Sequence, residues 1–135
     1  MTIELWMLVW SGVLLFVQIL VAAQASTHVK GVAWNAGNRE DPAPATGWPA
    51  RATRAYHNMM ETLPVFIILV LAAHLANIHT ANTVLGAELY LSGRIAHALL
   101  YYLGIAYVRT LAWLVSIAGM ALILVALIAN SPTIY

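Results

Sequence analysis

Long apolar runs constrain this chain more than any other feature. A helix needs about 20 predominantly apolar residues to cross the hydrocarbon core of a bilayer. LWMLVWSGVLLFVQILVAAQA, residues 5–25, and LAWLVSIAGMALILVALIA, residues 111–129, qualify unaided. The first follows a glutamate rather than a basic stretch and is longer than a signal-peptide core, so it reads as a retained helix. The apolar run at 65–76 has only 12 residues and must extend backwards through RATRAYHNMMETLP, residues 51–64, to about Pro49. A further segment, about 83–107, contains Glu88, Arg94 and His97. Four helices are therefore expected, over about 4–27, 49–77, 82–107 and 110–130. They make one domain across residues 1–135, an all-α integral membrane four-helix bundle with both termini on one side. Composition agrees: 62% of the residues are hydrophobic and 8% charged, against roughly 25% charged in soluble domains.

The same composition excludes several functions. A net charge of +1 gives no footprint for nucleic acid, and membrane lipid is the partner that the spans require. With no cysteine there is no disulfide and no protein thiolate. Five scattered histidines without carboxylates at ligand spacing predict no metal site. Nor is there a glycine-rich phosphate loop or a GxSxG elbow. His28, His74 and His79 are given no functional role.

Charge asymmetry sets the orientation. The first connection, 28–47, carries Lys30 and Arg39, with Arg51 and Arg54 just beyond, and the short third connection carries Arg109. The second, near 77–82, has neither Lys nor Arg. Positive-inside counting places the first and third in the cytoplasm.

Two polar stripes then demand explanation. At about 100° per residue, Arg51, Arg54, Asn58 and Glu61 project within one narrow face, with His57 beside it. Tyr90, Arg94, His97 and Tyr101, spaced by four, three and four, form a second. Charge inside a membrane is expensive and faces a bundle interior or a wet cavity, so both stripes are candidate site residues. Structural readings stand beside that one: Arg51 and Arg54 as interfacial anchors, Glu61 paired with Arg94 to order the bundle, and the tyrosines as packing residues. Pro64, about one turn from Glu61, frees the carbonyl of Met60.

RATRAYHNMMETLPVF, followed one helix later by GRIAHALLYYLGIAYVRT, resembles the MAPEG family, membrane-associated proteins in eicosanoid and glutathione metabolism. The most specific part is R-x-x-R-A-x-x-N-x-x-E-x-x-P from Arg51; the four spans, the NRED stretch at 38–41 and the Arg109-Thr110 pair agree with it. The resemblance covers nearly the whole chain and looks most like the bacterial branch. It implies a homotrimer in a bacterial inner membrane, with glutathione bound between subunits near the cytoplasmic face. Arg54, Asn58, Glu61, His97, Tyr101 and Arg109 match glutathione-site positions, and Arg94 supports them. Arg51 joins them as a second carboxylate-binding cation, and Lys30 stands nearest to the basic residue that the family's first helix contributes. The activity implied is conjugation of glutathione to lipophilic electrophiles or reduction of lipid hydroperoxides, with Arg109 stabilising the thiolate and Thr110 as a second donor.

Three positions depart from the eicosanoid-synthesising members. His57 stands where the prostaglandin type has an arginine contacting glutathione, Thr62 where the leukotriene type has a tyrosine, and Trp113 where the prostaglandin type has another tyrosine. Those eicosanoid activities are not carried over. The alternative class is a non-enzymatic membrane protein or a small ion-coupled transporter, with Glu61 in a structural or transport role.

Overall fold

The computed structural model describes residues 1–132. The described residues form helices and no strand: α1 (Ile3–Lys30), α2 (Val32–Ala36), α3 (Gly47–Leu75), α4 (Ala81–Leu103) and α5 (Ala106–Asn130). Three of them, α1, α3 and α5, are long and apolar enough to cross a membrane. At about 1.5 Å per residue α4 reaches roughly 35 Å, but it carries Glu88 and Arg94 along its length.

The expected helices are all present, with three differences that have local causes. The one expected over 82–107 stops at Leu103, because Gly104 adopts a left-handed conformation (φ 76°, ψ 21°). The turn closes as Gly104 N donates to Tyr101 O at 3.1 Å and Ile105 N to Leu100 O at 3.0 Å, satisfying carbonyls that the helix leaves open. The last helix consequently starts at Ala106, so Arg109 and Thr110 fall within its first turns. In the first connection a short helix, α2, follows Gly31 (φ 92°) where only a loop is expected.

Packing follows membrane rather than soluble logic. Along α1 the residues turned inward include Glu4, Ser11, Gln18 and Ala25, one every seventh position, while Trp10, Phe16 and Leu20 point outward. Apolar side chains gain nothing by leaving lipid, so the contacts between helices are made by small and polar residues. The tightest pair is α4 with α5. A Cβ added at Gly86 would stand 2.5 Å from Gly119 O, and one at Gly93 would stand 2.8 Å from both Ala112 O and Ser116 N. The backbones therefore touch, and only glycine fits. Between these helices and α3 lies the apolar centre, built from Met59, Leu63, Phe66, Val70, Tyr90, Met120 and Ile123. Phe66 stacks on Tyr90 at 3.9 Å, and the Tyr90 hydroxyl meets Thr62 Oγ1 at 3.0 Å.

Candidate functional site

The site is built where α3 begins, α4 ends and α5 starts. Spacings of three and four set Arg94, His97 and Tyr101 on one face of α4, and that face is turned into the bundle: Arg94 is fully buried and His97 is 3% exposed. Arg94 Nη1 donates to Asn58 Oδ1 on α3 at 2.8 Å, and its Nε to the Met59 thioether at 3.3 Å. The His97 and Tyr101 rings meet edge to face at 5.3 Å. Across the Gly104 turn, the Arg109 guanidinium lies over the Tyr101 ring at 4.0 Å from its centroid, within cation–π range.

Asn58, His97, Tyr101, Arg109, Thr110 and Trp113 enclose a cleft of about 220 Å³. None of the six is acidic, and the first turn of α5 contains no acidic residue either. Arg109 thus stands at the positive end of a helix dipole, where a cation is disfavoured. Two buried nitrogens, Arg94 Nη2 and Nδ1 of His97, which lines the cleft, meet no partner among the described residues. Buried groups of this kind cost free energy unless something satisfies them. The donor set fits an anionic, hydrogen-bond-accepting ligand.

The other expected site residues are placed elsewhere. Arg51 reaches the far side of α4, where its Nη2 approaches Tyr102 O at 3.5 Å and its guanidinium packs on Gly104. Arg54, His57 and Glu61 lie on an exposed face of α3 and do not line the cleft. Glu61 forms no ion pair with Arg94, whose partner is Asn58. Lys30 ends α1, outside the cleft.

A second polar cluster, at the opposite end, goes unread in the sequence. Glu4, 2% exposed, accepts a hydrogen bond from Thr83 Oγ1 at 2.7 Å and faces His79 Nδ1 at 3.4 Å, the only contact within 4 Å between a carboxylate and a basic side chain among the described residues. Thr80 and Thr83 form a reciprocal capping box there. A threonine three residues after another, at the start of a helical segment, is a readable sign of that box. Nothing local ties it to Glu4. No group of three His, Asp or Glu suited to a metal ion occurs among the described residues.

The model of the MAPEG family matches residues 3–129. The chain belongs to the MAPEG family. No curated protein and no solved structure matches it. The match takes in all four long helices, including Arg94, His97, Tyr101 and Arg109. Membership of MAPEG, together with three helices fit to span a bilayer, makes this an integral membrane protein. MAPEG proteins generally use glutathione, and membership fits glutathione-related or eicosanoid metabolism.

Proposed function

We propose that the protein is a glutathione-dependent membrane enzyme acting on lipophilic electrophiles or lipid hydroperoxides, and that its site is completed between subunits of a homotrimer. The observation that carries the reading is the acid-free cleft with Arg109 at a helix start and two buried nitrogens left without partners. Glutathione would bring the reactive thiol, two carboxylates and an ammonium. Arg109 would hold negative charge at the sulfur, with the Thr110 hydroxyl as a second donor. A thiol with an ordinary pKa of about 8.5 is mostly protonated at pH 7. Lowering that value by about two units takes roughly 2.7 kcal/mol of preferential stabilisation, a reasonable demand on a guanidinium at a helix start away from bulk water. Tyr101 and His97 would keep the guanidinium placed, and Arg94 would hold Asn58 through its 2.8 Å bond.

Size and exposure support a site shared between subunits. A cleft of about 220 Å³ is below the roughly 300–1,000 Å³ of ordinary ligand pockets, so one subunit supplies part of a site. Arg54 and Glu61 face outward from α3 next to exposed Val65 and Ile68. Charges so placed in a span need a neighbour, and a second copy would turn them towards bound glutathione, Arg54 to a carboxylate and Glu61 to the ammonium. Lys30, Arg51 and His57 complete the set of expected contacts, the first and last from exposed or half-exposed positions that a neighbouring subunit would cover. We take α4 as the fourth span, with Arg94 buried against the other helices and Glu88 on its exposed side, where a neighbouring subunit would cover it. Positive-inside counting then turns the cleft towards the cytoplasm, and the likeness to bacterial members suggests an inner membrane. Glu61 sits on the outer face of α3 rather than in the bundle centre, which disfavours a proton-exchanging carboxylate in a transport path.

The decisive experiment is an ultraviolet difference titration of the purified protein with glutathione at neutral pH, with Arg109→Ala as control. A saturable thiolate absorbance that the substitution abolishes is expected. If neither that signal nor direct binding of glutathione appears, the transport or structural reading replaces this one.

A further inference from the structure

A second pocket, sharing no residue with the cleft, opens on the other side of α3. It measures about 270 Å³ and lies between α1 (Ile19, Ala22, Ala23, Ser26), α2 and the following loop (Trp34, Asn35, Arg39), and α3 (Thr53, Tyr56). Tyr56 and Asn58 are two positions apart on α3, so they project about 160° from one another. The pocket is graded. Its floor is apolar, on α1, and it runs about 10 Å along that helix from Ser26 down to Ile19. Its rim is polar, made of hydroxyls, an amide and one guanidinium.

That guanidinium is held in advance. Arg39 adopts φ 54°, and its Nε and Nη2 donate to Asn35 O at 3.0 Å and to Asn35 Oδ1 at 2.5 Å. Its Cζ lies 5.6 Å from the centroid of the Trp34 ring, and Trp34 Nε1 donates to Asp41 O at 2.8 Å. Arg39 makes no ion pair among the described residues, although Glu40 and Asp41 follow it. Those two line an adjoining open hollow with Arg39, not this pocket. Two of five N–H donors are spoken for, and the others remain available in a fixed fork.

We infer that this pocket binds one anionic glycerophospholipid of the surrounding leaflet. Arg39 takes the phosphate, and the first part of an acyl chain runs over Ala23 to Ile19. Guanidinium groups pair with phosphate oxygens in planar, bidentate fashion, and a side chain already ordered loses little freedom on binding. The rim carries one positive charge and no acid, which favours a headgroup with net negative charge over one that brings its own cation. The apolar floor calls for a ligand with hydrocarbon attached rather than a soluble phosphate. The position suits this as well, because the pocket sits at the end of an apolar span, where headgroups lie.

The test is native mass spectrometry of the purified protein in mild detergent, titrated with phosphatidylglycerol, phosphatidylcholine and glycerol phosphate. One phosphatidylglycerol per chain should bind saturably, at least about tenfold more tightly than phosphatidylcholine, and Arg39→Gln should lose that preference. Ala23→Leu, which fills the floor and leaves Arg39 in place, should weaken binding of both lipids, so the inference stays testable if the arginine variant fails to fold. Equal binding of the two lipids, retention of the preference in Arg39→Gln, or no effect of Ala23→Leu would overturn it. Competition by glycerol phosphate at concentrations similar to the lipid would replace it with a soluble-phosphate site.

Discussion

At one end of the bundle Glu4 is buried with its partners around it, the Thr83 hydroxyl at 2.7 Å and His79 at 3.4 Å. At the other end Arg94 and His97 are equally buried, yet among the described residues Arg94 Nη2 and His97 Nδ1 meet no partner and no carboxylate lines the cleft. The contrast separates two uses of intramembrane polarity. A cluster whose carboxylate already meets donors of the protein itself ties α1 to the start of α4. A cluster left short of acceptors weakens the empty protein and gains when an anion arrives. Stability and binding should therefore separate between the two ends.

The sharpest way to break that comparison is at Arg109. Arg109→Ala should reduce turnover of glutathione about a hundredfold, the equivalent of roughly 2.7 kcal/mol. The same change should leave thermal stability in detergent unaltered or raise it by about 0.3–1 kcal/mol, since a cation is removed from a helix start. A large loss of stability would show instead that Arg109 is structural. Next in size is Arg94→Met, which replaces a buried, incompletely satisfied cation by an apolar chain of similar length. It should raise the stability of the glutathione-free protein by about 2 kcal/mol while weakening glutathione binding. Paired unfolding and binding curves test both halves, and a fall in stability would mean that Arg94 is fully compensated.

Glu4→Ala should do the reverse, costing about 1.5–3 kcal/mol because a buried hydrogen bond to a carboxylate is lost, with the glutathione titration unchanged. A shifted titration would couple the two ends and remove the distinction. The smallest effect is expected at the centre, where Tyr90→Phe removes the 3.0 Å contact with Thr62 but keeps the ring stacked on Phe66. About 1 kcal/mol of stability should go, and chemical denaturation curves in mixed micelles would resolve it.

How much of this was legible in the sequence depended on how local the cause was. Span lengths and the α4 stripe were readable because helical periodicity alone sets them, and Arg94, His97 and Tyr101 do share an inward face. The α3 stripe was readable only as a direction. Asn58 and Glu61 project about 60° apart, which is enough for the neighbouring helix to engage Asn58 and leave Glu61 outside, so the pairing of Arg94 could not be chosen from spacing. The end of α4 was signalled by Gly104, but the apolar residues after it masked the turn. Glu4 and Thr83 stand 79 positions apart, and no pattern within either segment announces that they meet.

The close approach of α4 and α5 through Gly86, Gly93 and Gly119 has a consequence for how the protein is made. Tyr101 and Arg109 are eight positions apart, on either side of the Gly104 turn, and their contact belongs to one hairpin. In chain order that hairpin comes after α1 and α3. The contact between Tyr101 and Arg109 can thus form only once α1 and α3 have been synthesised. A chain cut short before α5 would leave the Tyr101 ring without the guanidinium that lies over it, so this contact is made late in the order of synthesis.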